Sequence, residues 1–326
     1  MKNESQFWTV NSDQAFEKLA WKTFEFQFEQ NPVYRAYCSL LNKAPEDCSH
    51  LADIPFLPVE FFKTHQLCST QAPVTHEFRS SGTSSAQISR HLLSDIKAYE
   101  RSFQTTFRYF YGEPSEWVIL ALLPSYLERG DSSLVYMVEG LMQQSGRPEN
   151  DFYLDRLHEL RTQLQKLALK NQKTLLLGVS FALLDLAALG PMELPQTIVM
   201  ETGGMKGRRK EIIRSELHDQ LKESFGVSEI HSEYGMTELL SQAYSKGNGR
   251  FCCPPWMRVF GRSTEDPLTL IPNNQQVGLN LIDLANQQSC SFIATQDLGR
   301  IFDDGSFEVL GRFDLADARG CNLMVL

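Results

Sequence analysis

From residue 117 to residue 235 the chain alternates short apolar runs with amphipathic segments, and this alternation restricts its fold more than any other feature. "EWVILALLP" is apolar through its middle, as in a strand covered on both faces. "SSLVYMVEGLMQQSG" has helical spacing, and "FYLDRLHELRTQLQKLALKN" reads as a long two-faced helix. Then come "TLLLGV" (strand), "FALLDLAAL" (helix), "QTIVMET" (strand), "RKEIIRSELHDQLKESFG" (helix) and "EIHSEYG" (strand). Strands separated by helices in this way predict an α/β fold whose mainly parallel sheet is flanked by helices. After Gly249, short strands between turn residues ("VGLNLIDL", "SCSFIATQ", "GRIFDD", "SFEVLGR") predict a small, mostly antiparallel β subdomain over about 250–310.

The first third reads as helical. "DQAFEKLAWKTFEFQFEQN" and "PVYRAYCSLLN" carry helical spacing, with Pro32 near the start of the second. "DIPFLPVEFFKTHQL" suits a loop entering a short helix. "SDIKAYERSFQTTFRYFYG" suits an amphipathic helix with Ser94 as N-cap and Gly112 as stop. A chain of 326 residues, 42% of them hydrophobic, can bury a large core. Its net charge of −9 offers no general basic face, which argues against a nucleic-acid partner. Seven cysteines without a paired framework suit a reducing compartment. "MKNESQFWTV" lacks the pattern of a signal peptide. The most apolar stretch, "TLLLGVSFALLDLAALG", is interrupted by Asp185 and is short for a membrane span. The expectation is a cytoplasmic protein with no transmembrane segment.

Four motifs can carry chemistry. "FRSSGTSSAQ" holds Ser81, Gly82, Thr83 and Ser84, whose hydroxyls and unhindered amides suit a phosphate. It lacks the Gly-Lys-Ser/Thr ending of a Walker A loop, and by itself also fits a solvated loop. "METGGMKGRRKE" follows a strand. Gly203 and Gly204 permit close approach of a flat ligand or anion, and Lys206, Arg208, Arg209 and Lys210 concentrate positive charge. A glycine turn capped by solvated basic residues is the alternative. In "HSEYGMTEL" a strand ends at Tyr234-Gly235, and Thr237-Glu238 is expected to open a helix. Tyr234 suits stacking on a base, Thr237 a phosphate, and Glu238 a Mg²⁺ ion. A core tyrosine with a helix-capping Thr-Glu pair is the alternative. His231, just upstream, is the histidine expected to face a substrate. In "ATQDLGRI", Asp297 suits two ribose hydroxyls, and in "GRFD", Arg312 suits ribose or phosphate.

Taken in order, these motifs resemble the adenylate-forming superfamily of acyl-CoA ligases, luciferases and peptide-synthetase adenylation domains, over about residues 75–320. The resemblance implies that superfamily's large N-terminal domain, with ATP and Mg²⁺ as cofactors. Ser81, Gly82, Thr83 and Ser84 would cover the ATP phosphates. Gly203, Gly204 and Tyr234 would enclose adenine. Thr237 would contact the α-phosphate, Glu238 the metal, Asp297 the ribose, and Arg312 the ribose or phosphate. "GVSFALL" is similar to the segment that leads into the family's acyl pocket. The Ser/Thr loop departs from the family form in lacking a following Pro-Lys.

Family members continue into a lid domain bearing a catalytic lysine, whereas this sequence stops at "GRFDLADARGCNLMVL". The lid is therefore expected to be absent or reduced to a tail, giving an adenylation core over 1–310 and a hinge remnant and tail over 311–326. That ending, the "IPFLPVEFFK" stretch and Cys321 resemble the acyl-protein synthetases of bacterial bioluminescence, the LuxE type. Those enzymes activate a fatty acid as acyl-adenylate and transfer it to their own C-terminal cysteine. The resemblance implies a fatty acid–protein ligase with Cys321 as acceptor thiol and an acyl reductase or carrier protein as partner. Lys206 is the candidate to replace the missing lysine. The alternatives are a ligase that passes its acyl group to CoA or a carrier protein, and a non-catalytic nucleotide-binding subunit.

Overall fold

The computed structural model describes residues 6–80, 88–123, 130–203 and 213–313. It opens with α1 (Asp13–Gln30) and α2 (Pro32–Leu40). The Ser12 hydroxyl accepts from the Ala15 amide to cap α1. Asn31 caps α2, with Pro32 in its first turn, where an amide would find no partner. β1 (Leu57–Pro58) enters the single turn of α3 (Phe61–Thr64). A hairpin of β2 (His76–Arg79) and β3 (Arg90–Leu93) follows, then α4 (Lys97–Tyr111). The last ends at Gly112, whose φ of 80° favours glycine.

The predicted alternation then appears: β4 (Val118–Leu122), α5 (Ser133–Ser145), β5 (Asp151–Phe152), α6 (Leu157–Leu169), β6 (Thr174–Val179), α7 (Ser180–Ala187), β7 (Thr197–Thr202), α8 (Arg214–Phe225), β8 (Ile230–Tyr234) and β9 (Ala243–Ser245). These strands form a six-stranded sheet in the order β5-β4-β6-β7-β8-β9, parallel except for β9. β4 and β6 are buried at every position, as their unbroken apolar runs require. The chain leaves β4 toward one edge and β6 toward the other. With right-handed crossovers, α5 therefore covers the face opposite to α6, α7 and α8. Gly178 lies one residue before the end of β6 at this point of reversal, where an added Cβ would lie 2.8 Å from the Leu122 Cβ.

The second sheet is built from β10 (Met257–Arg262), β11 (Gln276–Asp283), β12 (Phe292–Ile301) and β13 (Phe307–Arg312), antiparallel to one another, with β1 alongside β12 in parallel. α1 and α2 pack over it. Buried Phe16, Ala20 and Phe24 recur at helical spacing. Phe24 and Tyr34 lie against Phe292, each at 5.9 Å between ring centroids. Among the described residues no helix is long and apolar enough to cross a membrane.

Several sequence expectations need correction. "SCSFIATQ" and "GRIFDD" do not make two strands. β12 runs unbroken from Phe292 to Ile301, and the irregularities lie in its pairing, with β11 between Gly278 and Asn280 and with β13 between Leu298 and Gly299. The long helix expected from residue 152 starts at Leu157, because Asp151 and Phe152 pair with β4. Ser94 does not cap α4. Its hydroxyl donates to Gln288, and it is the Asp95 carboxylate that accepts from the Lys97 amide.

The segment after β8 is a turn where a helix was expected. Its amides are taken by a buried side chain from the other sheet. The Asp283 carboxylate accepts from the amides of Leu240 (2.8 Å) and Ser241 (2.9 Å) and from the Ser241 hydroxyl (2.6 Å). The Ser241 hydroxyl also accepts from the Trp256 indole at 2.9 Å. Helical pairing cannot compete with a carboxylate that burial deprives of water. Asp283→Ala would strand these donors in the core, and is expected to lower unfolding stability by about 3 kcal/mol, measured by urea denaturation.

Candidate active site

Two of the predicted motifs meet as a cross-strand pair. Asp297 and Arg312 are register partners on β12 and β13, and the Arg312 Nε lies 3.3 Å from Asp297 Oδ1. The Tyr234 hydroxyl, at the end of β8, donates to Asp297 Oδ2 at 2.8 Å. The tyrosine ring is buried against Phe251 and Phe307. Burial and the neighbouring carboxylate push its phenol far above the usual range. Asp297 is 6% exposed, whereas the Arg312 side chain is 75% exposed. One end of this triad is thus fixed and the other reaches solvent.

Thr237 and Glu238 occupy the neighbouring turn, held by β3 and by the loop after β11. The His91 ring nitrogens lie 2.8 Å from the Thr237 carbonyl and 3.0 Å from Asn286 Oδ1. Burial pushes the His91 pKa down to about 4, against the two acceptor oxygens, which favour its protonated form. Asn286 donates from Nδ2 to the carbonyls of Glu238 and Cys290, both at 2.8 Å. Ser89, just before β3, is two residues from His91, and both are buried. The Ser89 hydroxyl is beside the Glu238 carboxylate. Glu238 is 7% exposed. Burial raises its pKa, opposed by Ser89 and by the positive charges of Arg312 and Lys63. The sequence motifs pointed to neither Ser89, His91 nor Asn286. Alternation along β3 was the one available signal for the first two.

At the end of β7, Gly203 adopts φ 64°, and its carbonyl accepts from the Ser180 hydroxyl at 2.8 Å. Glu201 below it is buried. Burial would raise its pKa, but His218, Arg214 and Ser232 hold it below the ordinary value. Arg214 lies 3.3 Å from Glu201 and donates to the Val309 carbonyl at 3.1 Å, joining the two sheets. Ser81, Gly82, Thr83, Ser84, Gly204, Lys206 and Cys321 lie outside the described residues. The first four fall in sequence between β2 and β3, a pair joined past Arg79 and Arg90 by the Ser80 amide on the Ser89 carbonyl at 3.1 Å. His231 does not face this site. It stands near the start of β8, with the Tyr111 hydroxyl 3.2 Å from its Nδ1, and burial next to Lys246 pushes its pKa down to about 4.

Among the described residues no group of three or more His, Cys, Asp or Glu could hold a metal by themselves. The donor set at Glu238 is a single carboxylate. That fits Mg²⁺ in its usual form, bound by one or two carboxylates with water and substrate phosphates completing the shell.

A mainly parallel sheet is joined to a small antiparallel one, with polar residues gathered where the two meet. The fold is similar to 2-hydroxyisobutyryl-CoA ligase in an open conformation with 2-HIB-AMP and CoA: TM-score 0.68 and 14% identity over 93% of this chain and 70% of that chain. The same ligase in its postadenylation state gives 0.68 and 14%, over 93% and 68%. ATP-bound MatB from Rhodopseudomonas palustris gives 0.55 and 14%, over 73% of this chain and 48% of that one. Residues 7–121 match the family of acyl-protein synthetase, LuxE, a stretch that includes "IPFLPVEFFK". No curated protein matches the sequence.

Beside Tyr234, Glu233 is buried on the other face of β8 and accepts a hydrogen bond from the Thr202 hydroxyl. Burial raises its pKa to about 7, with Glu201 adding to the rise. The folded state therefore keeps a proton that the unfolded chain releases at the ordinary carboxylate value. Stability contributed here is present below that value and is lost as pH rises toward 7. Glu233→Gln, neutral throughout, is expected to flatten this part of the stability–pH curve and to be at least as stable as the parent at pH 8. Denaturation midpoints between pH 4.5 and pH 8 test this. An unchanged slope would mean that Glu233 is ionised in the fold.

Proposed function

We propose that this protein is an ATP-dependent acid ligase, one that activates a fatty acid as its acyl-adenylate and passes the acyl group to Cys321. What carries the reading is one observation: Tyr234, Asp297 and Arg312 form a bonded triad next to the Thr237–Glu238 turn, inside an adenylate-forming fold. The LuxE match over residues 7–121 supports the choice of a protein thiol as acceptor.

In this reading Asp297 uses its remaining lone pairs to accept the ribose hydroxyls. Tyr234 and Arg312 hold the carboxylate in place, and exposed Arg312 can also turn toward the phosphates. Thr237 offers its hydroxyl to the α-phosphate. Glu238 would hold Mg²⁺, which supplies positive charge to the phosphate oxygens. A fatty-acid carboxylate oxygen attacks the α-phosphorus. The bond to pyrophosphate breaks, and pyrophosphate leaves with its electron pair. The Cys321 thiolate then attacks the acyl carbonyl. A C–S bond forms, the C–O bond to AMP breaks, and the thiol proton passes to solvent. Lys206 is the candidate for neutralising the pyrophosphate from the glycine-rich turn. Burial pushes Cys38 and Cys290 up to about 12, which leaves them poor thiolate sources and favours a thiol elsewhere in the chain. An acyl reductase or carrier protein would receive the thioester product.

Asp297→Ala should weaken ATP binding by about 1.5–3 kcal/mol, the range for hydrogen bonds to a charged group, read by calorimetric titration. Incubation with ATP, Mg²⁺ and a fatty acid should give carboxylate-dependent ATP–pyrophosphate exchange and a hydroxylamine-sensitive acyl group on the protein. Cys321→Ser should keep the exchange and lose the acyl group. Exchange without any protein thioester would favour CoA or a carrier protein as acceptor. No exchange at all would leave a non-catalytic nucleotide-binding subunit.

A further inference from the structure

We infer that Lys63 is a phosphate-binding residue of this site, reaching the anionic end of the bound nucleotide beside the Glu238 carboxylate. The inference rests on the reading of the site as an ATP site. It comes from where α3 is held. Leu57 and Pro58 of β1 pair with Ile293 and Ala294 of β12, and the Val59 amide donates to the Ala294 carbonyl at 2.9 Å. Glu60 then accepts from the Gln296 side chain, the residue before Asp297. On its other side, Phe62 is wholly buried and sets its ring edge-on to His91 at 5.5 Å, while His91 bonds the Thr237 carbonyl. Lys63 therefore springs from a helical turn wedged between the strand of Asp297 and the turn of Glu238.

The charges point the same way. Among the described residues, Arg312 and Lys63 are both near enough to the Glu238 carboxylate to favour its ionised form. Arg312 is paired with Asp297. Arg262, buried close by, directs its guanidinium to the Leu279 carbonyl (2.8 Å), Asn280 Oδ1 (2.9 Å) and the Thr295 carbonyl. Lys63 is exposed and has no ion pair among the described residues. An ammonium on a flexible stem is a compact point charge, suited to phosphate oxygens whose exact position varies along a reaction. The carboxylates of Glu238 and Asp297 repel a polyphosphate, and an ammonium beside them offsets part of that repulsion. As pyrophosphate departs, negative charge grows on its bridging oxygen, and a nearby ammonium favours that state more than the ground state.

The test is binding of MgATP and of adenosine, by calorimetry, to the full chain and to two variants. Lys63→Met should weaken MgATP binding about tenfold, as expected for a lost charge-assisted contact, and leave adenosine binding unchanged. Lys63→Arg, which keeps the charge, should keep the MgATP affinity. The exposed side chain predicts an unaltered denaturation midpoint for both. MgATP affinity in Lys63→Met equal to that of the parent would overturn the inference. So would an equal loss of adenosine binding, which would mark a structural role. Failure of the parent itself to bind MgATP would overturn the ATP reading, and this inference with it.

Discussion

The turn after β8 is where both sheets are fastened together, and the buried polar clamp around it is the constraint on which the site depends. Asp283 takes the amides of Leu240 and Ser241, Asn286 takes the Glu238 carbonyl, and His91 meets the Thr237 carbonyl. A turn followed by an edge strand would otherwise be free to wind into a helix or to fray. Here its backbone groups are bound by side chains from the end of β11, from the loop after it and from the hairpin strand β3. Each partner is buried, so no water can substitute for a lost bond. Thr237 and Glu238 inherit their positions from this clamp.

The clamp also continues into the amino-terminal helices. Gln27, buried on α1, donates to the Asn286 and Gln287 carbonyls and accepts from the Ser291 amide, and Asn31 donates to the Ser289 carbonyl. Phe62 leans on His91 from α3. The LuxE-matching stretch is thus a structural part of the site, forming the wall behind the Thr237–Glu238 turn.

Much of the architecture was legible because it follows from local periodicity. The apolar runs of β4 and β6, the stop at Gly112 and the antiparallel texture after Gly249 needed no tertiary information. The pairing of Asp297 with Arg312 was half legible. Both residues stood out by type, but their opposition across β12 and β13 depends on a register that an irregularity at Leu298 sets. The helix expected at Thr237 failed because a long-range carboxylate outcompeted local propensity. Lys63 was illegible as a site residue, since nothing in "EFFKTHQL" marks what will be folded against it, and in "SRHLLS" the spacing of Ser89 and His91 was the one hint of a shared face. His231 misled because its neighbourhood in sequence, next to Tyr234, differs from its place on the strand.

The Gln27 bonds span up to 264 residues of chain, and β1 pairs with a strand that begins at Phe292. A ribosome adding about 5–20 residues per second would release α1 and α2 well before their partners exist. Phe24 and Tyr34 would spend that interval without Phe292 to cover them, in a segment whose helices owe most of their stability to tertiary packing. Final closure of the amino-terminal layer is therefore a late event with high contact order. Synthesis of this protein is a race between the arrival of β12 and the capture of those rings by another chain. Chaperone supply and expression temperature should govern its soluble yield more than its equilibrium stability does.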